Sequence, residues 1–331
     1  MPDTPPPPQT PPADDALTVA VCTVGRPALT RALSMIVAGD TSTIHEIIVV
    51  DNTAGTLDRA HVHDACAPVH ARILNGSGPA SVGRNLALSH AQTDVVLFLD
   101  DDCLPDPAWA KEMAHYMASN PGLAAAFGKV VPVPVPGWEL RTAYLPRLGE
   151  NAWGVVQGED GERWCPAVSA PSWTPGPVRG EPTVPWCVVG SSNNLALRRS
   201  RLPEGRPAFL PHLGPGTGAG SGEDTELGYL LMREGRGVAY APWAQVQHDS
   251  WMSPASTEPA HRGYIRGNVE ALGHHAVRGD QHAAGLLAAY LGHFRADNGF
   301  GLTEFGEVLE WAYGSFTGGS PRAPLRKSDL S

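Results

Sequence analysis

The chain is predicted to be an α/β protein built on a mostly parallel, doubly wound sheet flanked by helices. Apolar runs of strand length alternate with stretches whose apolar residues recur at helical spacing, which is the pattern of parallel βαβ units. The strongest run, Val95 to Leu99, delivers Asp100, Asp101 and Asp102 to its carboxyl end. Open α/β sheets bind ligands at that edge. At 331 residues and 42% hydrophobic content, the chain can bury one large core.

Residues 1 to 16 (MPDTPPPPQTPPADDA) are proline-dominated and lack apolar periodicity, so they are expected to form an extended, disordered leader outside the fold. Leu17 to Thr23 has a strand pattern, Gly25-Arg26-Pro27 a turn, and Ala28 to Ala38 a helical one. Ile44 to Val50 is a second strand ending in Asp51-Asn52, Ala71 to Leu74 a third, and a helix over about 81–91 leads into the acid-bearing strand. From Gly128 to Trp186 the pattern changes to Val131-Pro132-Val133-Pro134-Val135-Pro136, five tryptophans and many glycines. An irregular excursion is expected there. It could be a lid or minor core, or a binding surface, since tryptophans make rigid amphipathic walls for sugars and other flat ligands.

After the strand-like Cys187-Val188-Val189, the run Gly190 to Arg199 returns to a turn plus strand. A glycine-rich stretch, Gly214 to Gly222, then feeds a helix whose Ser221 and Asp224 have capping-box spacing, with Leu227, Leu230 and Leu231 on its apolar face. A strand over 238–240 precedes Val246-Gln247-His248, and 255–331 reads as a mostly helical extension without a chemical motif. The expected divisions are 17–130, 131–254 and 255–331.

Composition narrows the function. With 24 Lys plus Arg against 34 Asp plus Glu there is no basic stripe for nucleic acid. Five scattered cysteines without a C-x-x-C pair read as reduced thiols of a cytosolic protein. No signal-peptide pattern and no run of 18 apolar residues occurs, so a soluble protein is expected.

Three adjacent carboxylates repel unless a positive charge sits among them. A hard divalent cation bridging to phosphate would supply it, whereas a solvated acidic turn is the plain alternative. Gly214 to Gly220 imitates a phosphate loop but lacks the Gly-Lys-Ser/Thr ending, and no Gly-x-Ser-x-Gly elbow is present.

A set of motifs resembles glycosyltransferase family 2, whose members are inverting GT-A enzymes that use nucleotide-sugars. Val21-Cys22-Thr23-Val24-Gly25-Arg26-Pro27 resembles the opening strand and turn beside the nucleotide, and Val49-Val50-Asp51-Asn52 the strand end whose acid contacts the base. Gly83-Arg84-Asn85 resembles the Arg-Asn signature, Asp100-Asp101-Asp102 the D-x-D motif, and Gly222 to Gly228 the helix start with the catalytic acid pair; His248 stands where many members place a histidine ligand. The resemblance covers about residues 17 to 250.

It implies an enzyme in which Thr23, Gly25, Arg26, Asp51, Arg84, Asp100 and Asp101 bind the nucleotide-sugar. Asp102, with Asp100 or His248, would hold Mg²⁺ or Mn²⁺. Asp224 would be the general base and Glu223 would orient it or the acceptor, while Trp153, Trp173, Trp186 and Asn193 would line the acceptor side. The partners implied are a nucleoside-diphosphate sugar and a small-molecule, peptide or glycan acceptor. A non-enzymatic carbohydrate-binding protein with a degenerate site is the alternative from another class, and a glycoside hydrolase, which also uses paired carboxylates, is the enzymatic one.

Overall fold

A computed structural model describes residues 15–136, 140–144, 151–158, 161–169, 176–178 and 190–297. Its N-terminal half alternates strictly: β1 (Leu17–Thr23), α1 (Ala28–Ala38), β2 (Ile44–Asp51), α2 (Arg59–Cys66), β3 (Ala71–Asn75), α3 (Ala80–His90) and β4 (Val95–Asp100). β5 (Cys103–Pro105), α4 (Trp109–Ser119) and β6 (Leu123–Pro132) follow, then β7 (Leu140–Tyr144), β8 (Asn151–Gly158), β9 (Gly161–Ser169) and β10 (Gly176–Val178). The chain continues through β11 (Asn194–Arg198), α5 (Glu223–Arg233), β12 (Gly237–His248), α6 (Pro254–Ala276) and α7 (Gln281–Asp297).

The main sheet runs β10-β12-β6-β11-β4-β1-β2-β3, with β5 paired to β12. β1, β2, β3 and β4 are parallel, as the alternating pattern predicts, while β11 runs antiparallel to both β4 and β6, so the sheet is mixed. Its central strands are buried on both faces, hence their near-continuous apolar sequences. α1 turns Leu29, Ala32, Leu33 and Ile36 toward one face, and α4 adds Trp109, Ala110, Met113, Ala114 and Met117. α3 and α5 cover the other face, where Ala87, Leu88, Leu227 and Leu231 pack with Phe98 and Phe127.

Register explains why one edge becomes chemically dense. Thr23 pairs with Asp51 and Cys22 with Asp100, so the carboxyl ends of β1, β2 and β4 finish level. β11 enters antiparallel with Asn194 opposite Leu99, which brings Ser192 and Asn193 to the same edge. His248, at the end of β12, is the cross-strand partner of Cys103.

Several expectations are corrected. The region from 128 to 186 is not wholly irregular: β6 continues through Pro132, and β7, β8 and β9 form a separate three-stranded antiparallel sheet. The capping box is absent: Gly222, in the left-handed region (φ 95°), is the N-cap and no side chain caps α5. The hydroxyl of Ser221 instead donates to the Gly263 carbonyl of α6. α2, α4 and β6 were not foreseen as elements, and β12 is far longer than residues 238–240. The strand-like 187–189 and the leader over 1–14 lie outside the described residues.

Candidate active site

Two arginines hold Asp100, Asp101 and Asp102 at the end of β4. Arg26, from the turn after β1, bridges Asp101 Oδ1 (2.8 Å) and Asp102 Oδ2 (2.7 Å) through Nη1. Thr23 Oγ1 donates to the other oxygen of Asp101 (2.6 Å) and accepts the Gly25 N–H (2.9 Å). Both oxygens of Asp101 are therefore occupied by the β1 turn. Burial pushes the Asp101 carboxyl up, and the Thr23 hydrogen bond and the Arg26 charge oppose this. The cation that three neighbouring carboxylates need is thus partly arginine.

Arg84 has the same role one layer deeper. It lies on α3, its side chain only 3% exposed, and donates to Glu223 Oε1 (2.8 Å) and Asp100 Oδ1 (2.9 Å). Its placement is that of a brace joining the end of β4 to the start of α5. Asn85 clamps the backbone of Phe209 by donating to its carbonyl (2.6 Å) and accepting its N–H (3.0 Å), and Ser81 donates to the Leu213 carbonyl. The Arg-Asn pair therefore fixes both the acids and the loop that leads to α5.

At α5, Glu223 is buried and accepts from Ser192 Oγ (3.1 Å) as well as Arg84. Burial first, then the charge of Asp224, pushes its carboxyl up to about 7, against the pull of Arg84. Asp224 is partly exposed, and its oxygens accept the N–H groups of Ser192 (3.1 Å) and Thr225 (2.8 Å). Two backbone donors at a helix start fix its direction.

Asp102 Oδ1 is shielded from solvent and accepts no hydrogen bond. His248 Nε2 stands 3.5 Å from it, and Asp102, Cys103 and His248 each present a ligand atom within 4.8 Å of the others. An orphaned carboxylate oxygen beside an imidazole and a thiol fits a divalent cation. Burial pulls the His248 ring down, but the contacts with Asp102 and Cys165 outweigh it and hold the ring well above its ordinary value. Asp100, expected among the ligands, falls outside this cluster and faces Arg84.

Asp51 ends β2 with Oδ1 taken by the N–H (2.8 Å) and hydroxyl (2.6 Å) of Thr53, while Oδ2 is buried without a hydrogen bond, 3.7 Å from Arg59. Asn193 is buried at the same edge with its Oδ1 also unpaired. Trp153 belongs to β8, and Trp173 and Trp186 lie outside the described residues. Sequence reasoning missed Ser192, Cys103 and Cys165; the first sits in the turn Gly190 to Asn194, whose only signal was its small polar residues.

Residues 18–160 match the family model of glycosyl transferase family 2. Among solved structures, S. aureus TarS is similar at 17% identity over 93% of this chain, with a TM-score of 0.53. This chain covers 49% of that one, about half its length. The TarS 1-349 fragment in complex with UDP-GlcNAc is similar at 18% identity over 91% of this chain and 80% of that chain, with a TM-score of 0.54. At such identities the likeness shows the fold. No curated protein matches. Among the described residues, no helix is long and apolar enough to cross a membrane.

Proposed function

From a chain that carries a glycosyltransferase family 2 domain on a GT-A fold, we propose an inverting transferase that moves a sugar from a nucleoside-diphosphate sugar to an acceptor nucleophile. The observation that supports it most is the gathering of acids at one sheet edge. Asp102 has an unpaired buried oxygen beside His248, and Asp224 is partly exposed at the start of α5. Arg84 joins the end of β4 to the start of α5 through Asp100 and Glu223.

In this reading Asp224 accepts the proton of the acceptor nucleophile as that atom attacks the anomeric carbon, and the bond to the diphosphate breaks on the opposite face. A positioned base contributes roughly 10²–10⁴-fold. Glu223 orients the Ser192 turn that in turn directs Asp224. Asp102 and His248 would hold Mg²⁺, Mn²⁺ or a similar divalent ion, which when bound offsets negative charge on the departing diphosphate. Arg26 can turn from Asp102 to a phosphate, since its side chain is half exposed (49%). Asn193, Trp153, Trp173 and Trp186 are proposed for the acceptor side, and Thr23, Gly25 and Asp100 for the donor.

Asp51 suggests the nucleotide. Thr53 saturates one of its oxygens, so a single acceptor is left for the base. Uracil or thymine offers one ring N–H, whereas guanine presents two adjacent donors that want both carboxylate oxygens. A thermal-shift screen of UDP-, dTDP- and GDP-sugars with and without Mn²⁺ tests this, because a ligand that binds only the folded state stabilises it. Metal-dependent stabilisation by a UDP- or dTDP-sugar is expected. Stabilisation by GDP-sugars alone would overturn the assignment of the base, and no response to any nucleotide would overturn the function.

A further inference from the structure

We propose that the cation site of this chain is a mixed carboxylate, imidazole and thiol site, with Cys103 as a ligand, and that it takes a thiophilic divalent ion such as Zn²⁺ in preference to Mg²⁺. This rests on the reading that a cation assists at Asp102. The geometry comes from strand register. β5 pairs antiparallel with β12, and Cys103 and His248 are direct cross-strand partners, so their side chains share one face of the ladder. Asp102 precedes Cys103, and its backbone carbonyl accepts the N–H of Asp249, which closes the pairing beyond His248. The ligand atoms of Asp102, Cys103 and His248 consequently converge within 4.8 Å.

The chemistry of this set is not that of a magnesium site. Mg²⁺ demands near-octahedral oxygen ligation, whereas carboxylate, imidazole and thiolate together suit zinc. All three residues are buried. A thiolate and a carboxylate neutralise a dication in such a place, which a carboxylate and a neutral imidazole alone would not. Three protein ligands are also the number found in catalytic rather than structural zinc sites, where water or substrate supplies the fourth.

A fourth residue holds the imidazole. Cys165 of β9 donates its thiol hydrogen to the His248 carbonyl (3.5 Å), and its sulfur lies 3.6 Å from His248 Nδ1. With a cation bound, an Nδ1–H directed at that sulfur would leave Nε2, 3.5 Å from Asp102 Oδ1, as the ligating nitrogen. Cys165 is thus a positioning residue, and it ties the separate β7-β8-β9 sheet to the cation site.

The test is titration of the full chain with Co²⁺, free of nucleotide and under reducing conditions. A near-ultraviolet thiolate-to-cobalt charge-transfer band is expected in the wild type, displaced by Zn²⁺ but not by excess Mg²⁺. It should vanish in Cys103→Ser and persist in Cys165→Ala with Co²⁺ bound about 10-fold more weakly, as for loss of an outer-shell partner. Should Cys103→Ser fail to fold, X-ray absorption of the zinc-loaded wild type decides: one sulfur at about 2.3 Å supports the site, and only nitrogen and oxygen neighbours overturn it. Co²⁺ bound without a charge-transfer band, or a band unchanged in Cys103→Ser, would overturn the thiolate ligand and leave the cation-assisted reading standing. No Co²⁺ or Zn²⁺ binding at all, with Mn²⁺-dependent nucleotide binding intact, would also overturn the thiol site alone.

Discussion

Gly267→Ala isolates the contact that holds the start of α5. Gly267 lies on α6, and a Cβ there would meet the hydroxyl, carbonyl carbon and carbonyl oxygen of Ser221, the oxygen at 2.5 Å. Gly222, at φ 95°, is pressed from the other side, with a Cβ at that position only 2.9 Å from Gly267 Cα. Two effects of opposite sign compete. Replacing a helical glycine with alanine gains about 1 kcal/mol of helix propensity. Overpacking costs about 1–3 kcal/mol, and the upper part applies because Ser221 presents backbone that is itself engaged by the Gly214 N–H. The net expectation is a loss of about 1–2 kcal/mol in urea denaturation, with lowered turnover and unchanged donor affinity, since Asp224 follows two residues after Gly222. Gly285→Ala in α7 is the control: Gly285 is exposed with nothing within 4 Å of a Cβ, so only the gain of about 1 kcal/mol remains. If Gly267→Ala stabilises the protein as the control does, α6 does not brace α5 and the reasoning fails.

Arg84→Ala strands Glu223 in a buried place, and breaking such a pair costs about 3–5 kcal/mol; Asp100, with its side chain 32% exposed, adds little. Without Arg84 the Glu223 carboxyl is held still higher, so the loss, read by urea melts at pH 8, should shrink as the pH falls toward 7 and be smallest below it. A loss under about 1 kcal/mol at pH 8 would refute the brace. Glu223 itself is held at about 7 against an ordinary 4.5, so the folded state keeps a proton that the unfolded chain has released. That stabilisation is complete below 4.5 and lost as the pH rises through 7. Relative to Glu223→Gln, the wild-type melting temperature should therefore fall across this interval, and parallel pH curves for the two proteins would show that Glu223 titrates normally.

Much of the fold was legible because β1, β2 and β4 are buried on both faces and carry the apolar runs Val19 to Cys22, Ile47 to Val50 and Val95 to Leu99, each ending at a polar residue where the ligand edge begins. α1 was equally plain from Leu29, Ala32, Leu33 and Ile36. α2 was not, because only Val62 and Cys66 of its eight residues are buried, leaving no apolar stripe to read. The antiparallel insertion of β11 was hidden for another reason: strand direction and neighbours depend on contacts far along the chain. At the site, the acids and His248 were visible as motifs, while the roles of their partners were not. The resemblance gives Arg84 to the nucleotide-sugar, and the sequence alone shows no carboxylate partner for it; folding brings Glu223, 139 positions along the chain, to meet it. Cys103 read as one of five scattered reduced thiols without a C-x-x-C pair, and only pairing with His248 gives its thiol a direction.

The proposed base is tested most directly by the turnover of Asp224→Asn. Asparagine keeps one oxygen where aspartate uses two, so it can accept the N–H of Ser192 or of Thr225 but not both; the fold and donor binding should persist at a stability cost of about 1 kcal/mol. What it cannot do is take a proton. With a UDP- or dTDP-sugar and acceptor under metal-saturated single-turnover conditions, the variant should bind donor as the wild type does and transfer sugar roughly 10²-fold or more slowly. Transfer within a few-fold of wild type would place the base elsewhere and contradict the catalytic arrangement proposed for this sheet edge.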